Sequence, residues 1–287
     1  MQIFKTRISW AIYIICAALF FFYYLFPSDT VKEYLADQIR QTHPNLTVKI
    51  SRVKPAFPPG LKLKGVSVYH LGQTIAALEN LKISPDILSL FTVTTHLSFK
   101  GNGYGGTLKG RVDIIKKSSG REVIIDADLA GIQLNQLEAL SAVTTHKISG
   151  NLDGTLEFKA NVPHQALSGD LILTDGQIEF SPPVLNQNVI TFNTIEAELM
   201  LNGRSLTINR CQLEGNQLDA DVAGSIKFSG RSARIILNLS GTVKLHEALL
   251  AKLGKNVPQL LKGSKLGNQG FPFKIKGPMD SPQYSFY

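Results

Sequence analysis

Cysteine is nearly absent from this chain, with two in 287 residues. Cys16 sits in an apolar N-terminal stretch and Cys211 deep in the polar chain, so there is no disulfide framework and no C-x-x-C metal or redox motif. That scarcity does not fix the redox compartment. Charged residues make up only 18% of the chain, and although the formal net charge is +8, the 30 basic residues include no run of five and no interleaved aromatic stacking pattern. Nucleic acid is therefore excluded as the expected partner. The same excess of positive charge suits a surface near anionic lipid head groups.

Catalytic signatures are missing too. The chain contains no G-x-S-x-G elbow, no G-x-x-x-x-G-K phosphate loop and no H-E-x-x-H. Its six histidines, His43, His70, His96, His146, His164 and His246, stand singly, with no local zinc-ligand spacing. A Ser/His/Asp triad assembled from distant residues leaves no local mark, and nothing points to one. Gly101-Asn-Gly-Tyr-Gly-Gly106 matches G-x-G-x-x-G, but dinucleotide binding needs a helix after the glycines, and the alternating Thr107 to Ile114 predicts a strand there. A hairpin turn is expected. Asp126 with Asp128, and Asp219 with Asp221, place paired carboxylates on single strand faces, a pattern that solvated faces also produce. No cofactor and no metal are expected, and the chain is expected not to be an enzyme.

What is present begins with an apolar run. Ile8 to Phe26 reads ISWAIYIICAALFFFYYLF without a charge. At about 1.5 Å per residue, such a helix spans roughly the 30 Å hydrocarbon core of a bilayer. A cleaved signal peptide is shorter and ends in small residues, whereas this run ends in Phe21, Phe22, Tyr23, Tyr24 and Phe26. Lipid attachment at Cys16 is disfavoured by Ile14 and Ile15 before it. Trp10 and the Tyr23-Tyr24 pair suit the two aromatic belts, and Lys5 and Arg7 against the more dispersed Lys32 and Arg40 put the amino terminus inside.

After Pro27, Thr30-Val-Lys-Glu33 has capping-box spacing, and Val31, Leu35 and Ile39 form one helical stripe that stops before Pro44. From Leu46 the period becomes two: Leu46-Thr-Val-Lys-Ile50, the turn PAFPPG, then Leu61-Lys-Leu-Lys-Gly-Val-Ser-Val68. A phrase of Gly, any residue, Leu/Ile/Val, any residue, Phe/Ile/Leu then starts at Gly110, Gly154, Gly169, Gly176, Gly224 and Gly241. Six occurrences exceed the roughly one or two expected from composition. Within these phrases Leu156, Phe158, Ile178, Phe180, Ile226 and Phe228 face one way and polar neighbours the other, so these six are the candidate lining of a hydrophobic groove. Asn102-Gly103, Asp153-Gly154, Asp175-Gly176 and Asn202-Gly203 carry hairpin-turn chemistry. Helix is expected only near Ser84 to Phe91, Leu134 to Leu140 and His246 to Leu253. That is too little to cover both faces, which leaves a sandwich, a barrel or a groove holding a ligand or partner.

The order of elements, with VKISRVKPAFPPGLKLKGVSV near one end and FPFKIKGPMDSPQYSF at the other, resembles the AsmA-like group, and within it GspN, the protein N family of bacterial type II secretion systems. Pro58, Gly60, Gly65, Pro272, Gly277 and Pro282 carry the likeness. The resemblance implies a mainly β fold: an N-terminal transmembrane helix, then an elongated, curved antiparallel β-sheet forming a groove or incomplete barrel, with a few short helices. It implies residues 1–7 in the cytoplasm, a span at 8–26, a juxtamembrane amphipathic helix at 27–45 and a β-rich domain at 46–287 in the periplasm, anchored in the inner membrane. It also implies a non-catalytic component of the secretion apparatus, with other secretion components as partners. The alternative is an AsmA-like protein that binds or transfers lipid in outer-membrane biogenesis, with phospholipid or lipopolysaccharide acyl chains as ligands.

Overall fold

The computed structural model describes residues 10, 13–14, 17, 20–21, 23–42, 44–57, 59–117, 120–143, 146–161, 164–184, 187–228, 235–247, 249, 270–279 and 281–286. Residues 8, 9, 11, 12, 15, 16, 18, 19 and 22 of the expected span, Cys16 among them, lie outside the described residues. Among the described residues no helix is long and apolar enough to cross a membrane. Trp10, Tyr13, Ile14, Ala17, Phe20, Phe21, Tyr23 and Tyr24 are nonetheless helical. Trp10 meets Tyr13 edge to face at 6.2 Å, and Phe20 stacks on Tyr24 at 6.0 Å, the spacings that bring side chains three and four apart onto one helix face.

The chain divides into two compact units, Met1–Pro85 and Asp86–Tyr287. In both, strands lie in the sheet in their sequence order, all pairs being antiparallel. The first unit holds α1 (Ser28–Thr42), β1 (Leu46–Ala56), β2 (Gly60–His70) and β3 (Gln73–Pro85). Helix α1 begins two residues before the expected cap at Thr30. The Ser28 hydroxyl donates to the Val53 carbonyl at 2.5 Å and so ties the helix start to β1. Phe26, Val31 and Leu35 lie against a core of Ile50, Val53, Leu63 and Val66.

That core breaks strict alternation. Ile50, Val66 and Leu78 form one rung and Val53, Leu63 and Leu81 the next apolar rung, three residues on in every strand. The reset occurs where Gly65 takes a φ of +57°, a conformation glycine adopts without the Cβ penalty. A Cβ there would stand 2.4 Å from Ser51 Oγ.

The second unit holds β4 (Thr94–Gly103), β5 (Gly106–Lys117), β6 (Gly120–Gln133), α2 (Glu138–Val143), β7 (Lys147–Asn161), β8 (His164–Val184), β9 (Gln187–Asn202), β10 (Ser205–Glu214), β11 (Leu218–Phe228), β12 (Ile235–Leu245), β13 (Phe271–Pro278) and β14 (Gln283–Phe286). It is a mainly β, antiparallel meander. Single 3-10 turns occupy Leu88–Phe91 and Leu134–Gln136, close to two of the expected helical interruptions. The third falls on Glu247 and Leu249, with residues 250–253 outside the described residues.

The glycine-rich segment at Gly101 to Gly106 is a hairpin, turning at Tyr104 and Gly105 with φ of +55° and +74°. Asn202-Gly203 also marks a turn. The two Asp-Gly pairs do not. Asp153-Gly154 lies inside β7, where Asp153 Oδ1 accepts the Gly131 amide of a bulge in β6 at 2.9 Å. Asp175-Gly176 lies inside β8, where Asp175 has a φ of +52° and the Phe192 ring lies over Gly176. In both places an Asp-Gly pair sits in an irregular strand, Asp153 through its carboxylate and Asp175 through its left-handed backbone, the same chemistry that favours turns.

Candidate binding surface

Register partners in an antiparallel sheet share a face. In the second unit one row runs Leu97, Val112, Ile125, Phe158, Leu167, Leu201, Leu206, Ile226, Leu237 and Gly277 from β4 to β13. The next runs Phe99, Gly110, Ala127, Leu156, Gly169, Leu199, Ile208, Gly224, Leu239 and Ile275. A third runs Gly101, Leu108, Leu129, Gly154, Leu171, Ala197, Cys211, Val222, Gly241 and Phe273. No charged or amide side chain enters any of the three rows. With neighbouring strands about 4.8 Å apart, ten strands give a contour of roughly 40 Å.

Two bulges keep this face dry. The apolar spacing is three between Leu129 and Ile132 in β6 and between Ile208 and Cys211 in β10, and the register shifts at both places. Were β10 to run in strict alternation without the bulge, Cys211 and Leu213 would turn to the opposite side. Burial pushes the Cys211 thiol up, and the nearby Asp221 carboxylate adds to it, so the sulfur is a neutral member of the apolar row.

Side chains of the first row, from Leu97 to Leu237, are half-buried rather than buried. Lateral neighbours on a sheet screen each other by about this much. A second layer would take such residues to the burial of Phe192, at 2% exposure. Among the described residues the dry face of these strands is thus shielded chiefly by its own members.

Four of the six residues expected from the sequence to line a groove lie on this face. Leu156 and Phe158 stand in β7, Ile226 and Phe228 in β11, where Phe228 is opposite Ile235 and 39% exposed. Ile178 and Phe180 lie beyond the kink at Asp175. Ile178 sits between Ile148 and Ile190, and Phe180 meets the His146 ring edge to face at 5.4 Å. The residues of β6, β9 and β13 on the face were not singled out by the glycine phrase, although their alternation alone signals them.

The other face is polar. Lys109 pairs with Asp128 at 3.6 Å, Asn209 donates to Glu198 at 2.8 Å and Gln212 to Asp221 at 3.0 Å. His96 Nδ1 lies 2.5 Å from Asp113. His246 Nε2 lies 2.8 Å from Asp219, which also accepts the Gly215 amide at 3.3 Å. Burial raises the Asp219 carboxyl, but the bonds from His246 and Gly215, with the charges of His246 and Lys244, outweigh it and hold the group below its usual range. Asp128, Asp219 and Asp221 are therefore each engaged by a separate partner. Among the described residues no group of three or more His, Cys, Asp or Glu could hold a metal ion.

No protein-family model, no curated protein and no solved structure matches this chain.

Proposed function

We propose that this chain is a non-catalytic protein anchored in the bacterial inner membrane by Ile8 to Phe26, with its β-rich units in the periplasm, and that the apolar face of the second unit binds the acyl chains of phospholipid or lipopolysaccharide. The observation that carries this is the unbroken apolar face across ten strands. A small ligand needs a cavity of a few hundred cubic ångströms with a few convergent polar groups. An open face roughly 40 Å in contour and free of polar groups suits long, flexible, apolar chains. The uncharged run at the amino terminus brings the protein to the source of such chains. This is the AsmA-like lipid-binding or lipid-transfer reading.

Native mass spectrometry of the full chain, released from bilayers without lipid-stripping detergent, tests it. Stoichiometric lipid is expected on the wild type. Phe158→Glu and Ile226→Glu, which place a carboxylate in the apolar row, lower it by at least tenfold, because burying an unpaired carboxylate costs several kcal/mol. Glu157→Gln on the opposite face leaves it unchanged. A folded wild type that carries no lipid overturns the reading.

A second reading, a GspN-like component of a type II secretion system contacting other secretion components, is favoured by the order of elements and by the two segments that carry the resemblance, which form the hairpins β1–β2 and β13–β14. Affinity capture from native membranes that recovers no secretion component counts against it.

A further inference from the structure

The polar face of the first unit is basic. Arg52 stands opposite Lys64, and Lys54 opposite Lys62, which is in turn opposite Lys82. Like charges directly across a strand pair destabilise it, so two adjacent rungs of cations carry a cost that the sheet itself does not repay. Lys82 donates to the Phe57 carbonyl at 3.1 Å, whereas among the described residues Arg52, Lys54, Lys62 and Lys64 make no ion pair and are exposed. The acidic groups nearby are few. Glu79 is exposed on β3 next to Asn80, the partner of Lys64, and Asp29 is engaged by Lys32 at 3.0 Å.

The location of this cluster matters as much as its charge. Arg52 and Lys54 line a cleft of about 550 Å³ together with Tyr23, Tyr24, Ser28 and Asp29. The two tyrosines end the apolar N-terminal run and are 61% and 76% exposed. Tyrosines at the end of a span sit at the level of the lipid head groups, with ring against acyl chain and hydroxyl in the polar layer. Side chains sharing a cleft with them are at that same level, where phosphate oxygens are the abundant acceptors. Arginine and lysine are the donors that match phosphate, Arg by its planar fork and Lys as a point charge.

We infer that Arg52, Lys54, Lys62 and Lys64, with Tyr23 and Tyr24, form a binding site for the phosphate groups of anionic lipids in the bilayer that holds the N-terminal run. This site is separate from the apolar face of the second unit and takes a different part of the lipid. It rests on the anchor assigned under the proposed function, and not on the acyl-chain binding assigned there.

The test uses the full chain reconstituted into bilayers of equimolar phosphatidylcholine and phosphatidylglycerol, with native mass spectrometry of the lipids it retains on ejection. The wild type is expected to retain phosphatidylglycerol in preference to phosphatidylcholine, and the preference to fall by about fivefold for each charge removed in the series Arg52→Gln, Lys54→Gln, Lys62→Gln, Lys64→Gln. Raised salt should weaken it in the wild type, since these side chains are exposed. Lys109→Gln with Lys147→Gln, on β5 and β7, removes two charges elsewhere and should leave intact the preference that any two substitutions of the series lower. A chain that enters the bilayer but shows no preference, or whose preference survives the four substitutions, overturns this inference alone. A chain that does not enter the bilayer overturns the anchor and the inference with it.

Discussion

Replacing Gly241 by alanine should cost far more than a methyl group suggests. Gly241 lies on the dry face of β12 opposite Val222, and its φ lies outside the left-handed region, so the cost is not conformational. A Cβ at this position would stand 1.9 Å from the Asp221 carbonyl oxygen, 2.9 Å from its carbon and 3.1 Å from Val222 Cα. All three are backbone atoms of β11, which cannot swing aside as a side chain can. Ordinary contact requires β11 to retreat by roughly 1.5 Å at this rung, a distance that breaks the local hydrogen bonds. Overpacking of about 1–3 kcal/mol and the weakening of one or two bonds worth about 0.5–1.5 kcal/mol each give a loss near 3 kcal/mol. With a urea dependence of about 2 kcal/mol per molar, the unfolding midpoint falls by about 1.5 M. Gly203→Ala is the control. Gly203 has a φ of +56° and open space around it, so alanine there pays only left-handed strain of about 1–2 kcal/mol. Urea unfolding of the full chain in mild detergent, followed by circular dichroism in the strand region, gives both midpoints. If Gly241→Ala moves the midpoint no further than Gly203→Ala, the close approach of β11 and β12 is refuted.

Phe192→Ala removes a ring that lies over Gly176 at 2% exposure and should cost about 3–5 kcal/mol, read as a lowered melting temperature. Leu63→Ala, at 4% exposure in the core beneath α1, should cost about 2–5 kcal/mol, and hydrogen exchange should place the loss in β1 to β3. The Asp219 carboxyl is held below its usual range, so its contribution to stability is present above the unfolded value of about 3.9 and is lost as the pH falls through the lower folded value. Melting temperatures measured from neutral pH to pH 2 should therefore fall more steeply in the acid range for the wild type than for Asp219→Asn, and parallel curves would remove the His246 pairing as a source of stability.

Much of this fold is legible in the sequence because period-two alternation needs no tertiary information. The strands around Gly110, Gly154, Gly169 and Gly224 follow directly from it, as does the hairpin at Gly101 to Gly106, where a strand after the glycines rules out a nucleotide loop. The bulges are less legible. Leu129 to Ile132 and Ile208 to Cys211 each space two apolar residues by three, as does Ile50 to Val53 beside Gly65 where the register is unbroken, and read alone such a step breaks a strand pattern. Only the partner strand shows whether the step is a turn or an extra residue. The Asp-Gly pairs fail for the same reason: Asp153 and Asp175 have the chemistry of a turn, but the register holds the chain extended on both sides of them. The contact between His246 and Asp219 joins positions 27 apart in the chain, and no local spacing in the sequence signals it.

The glycines of the dry face link these observations. Gly110, Gly154, Gly224 and Gly241 each bring the place of a Cβ within 1.9 to 2.3 Å of a carbonyl oxygen in the adjacent strand. A side chain on a flat sheet points away from the sheet and meets no such atom. At these four rungs the strands coil so that the place of Cβ leans into the neighbour, at Gly154 and Gly224 through a φ of +152° and +144°. The same residues that permit the coil also lower the apolar face locally, so a row such as Phe99, Gly110, Ala127, Leu156, Gly169 alternates large and small side chains. A flat row of leucines would favour closure against a second copy of itself. A coiled and indented row does not stack so readily on its like, yet still offers contact to a chain flexible enough to follow it. Because among the described residues each strand touches mainly its sequence neighbours, this geometry repeats rung by rung, as in proteins built by repetition. The meander thereby reconciles two demands that compete in an ordinary sandwich: pairing the backbone of every strand between the edges, and leaving one apolar face on which, among the described residues, no second sheet lies.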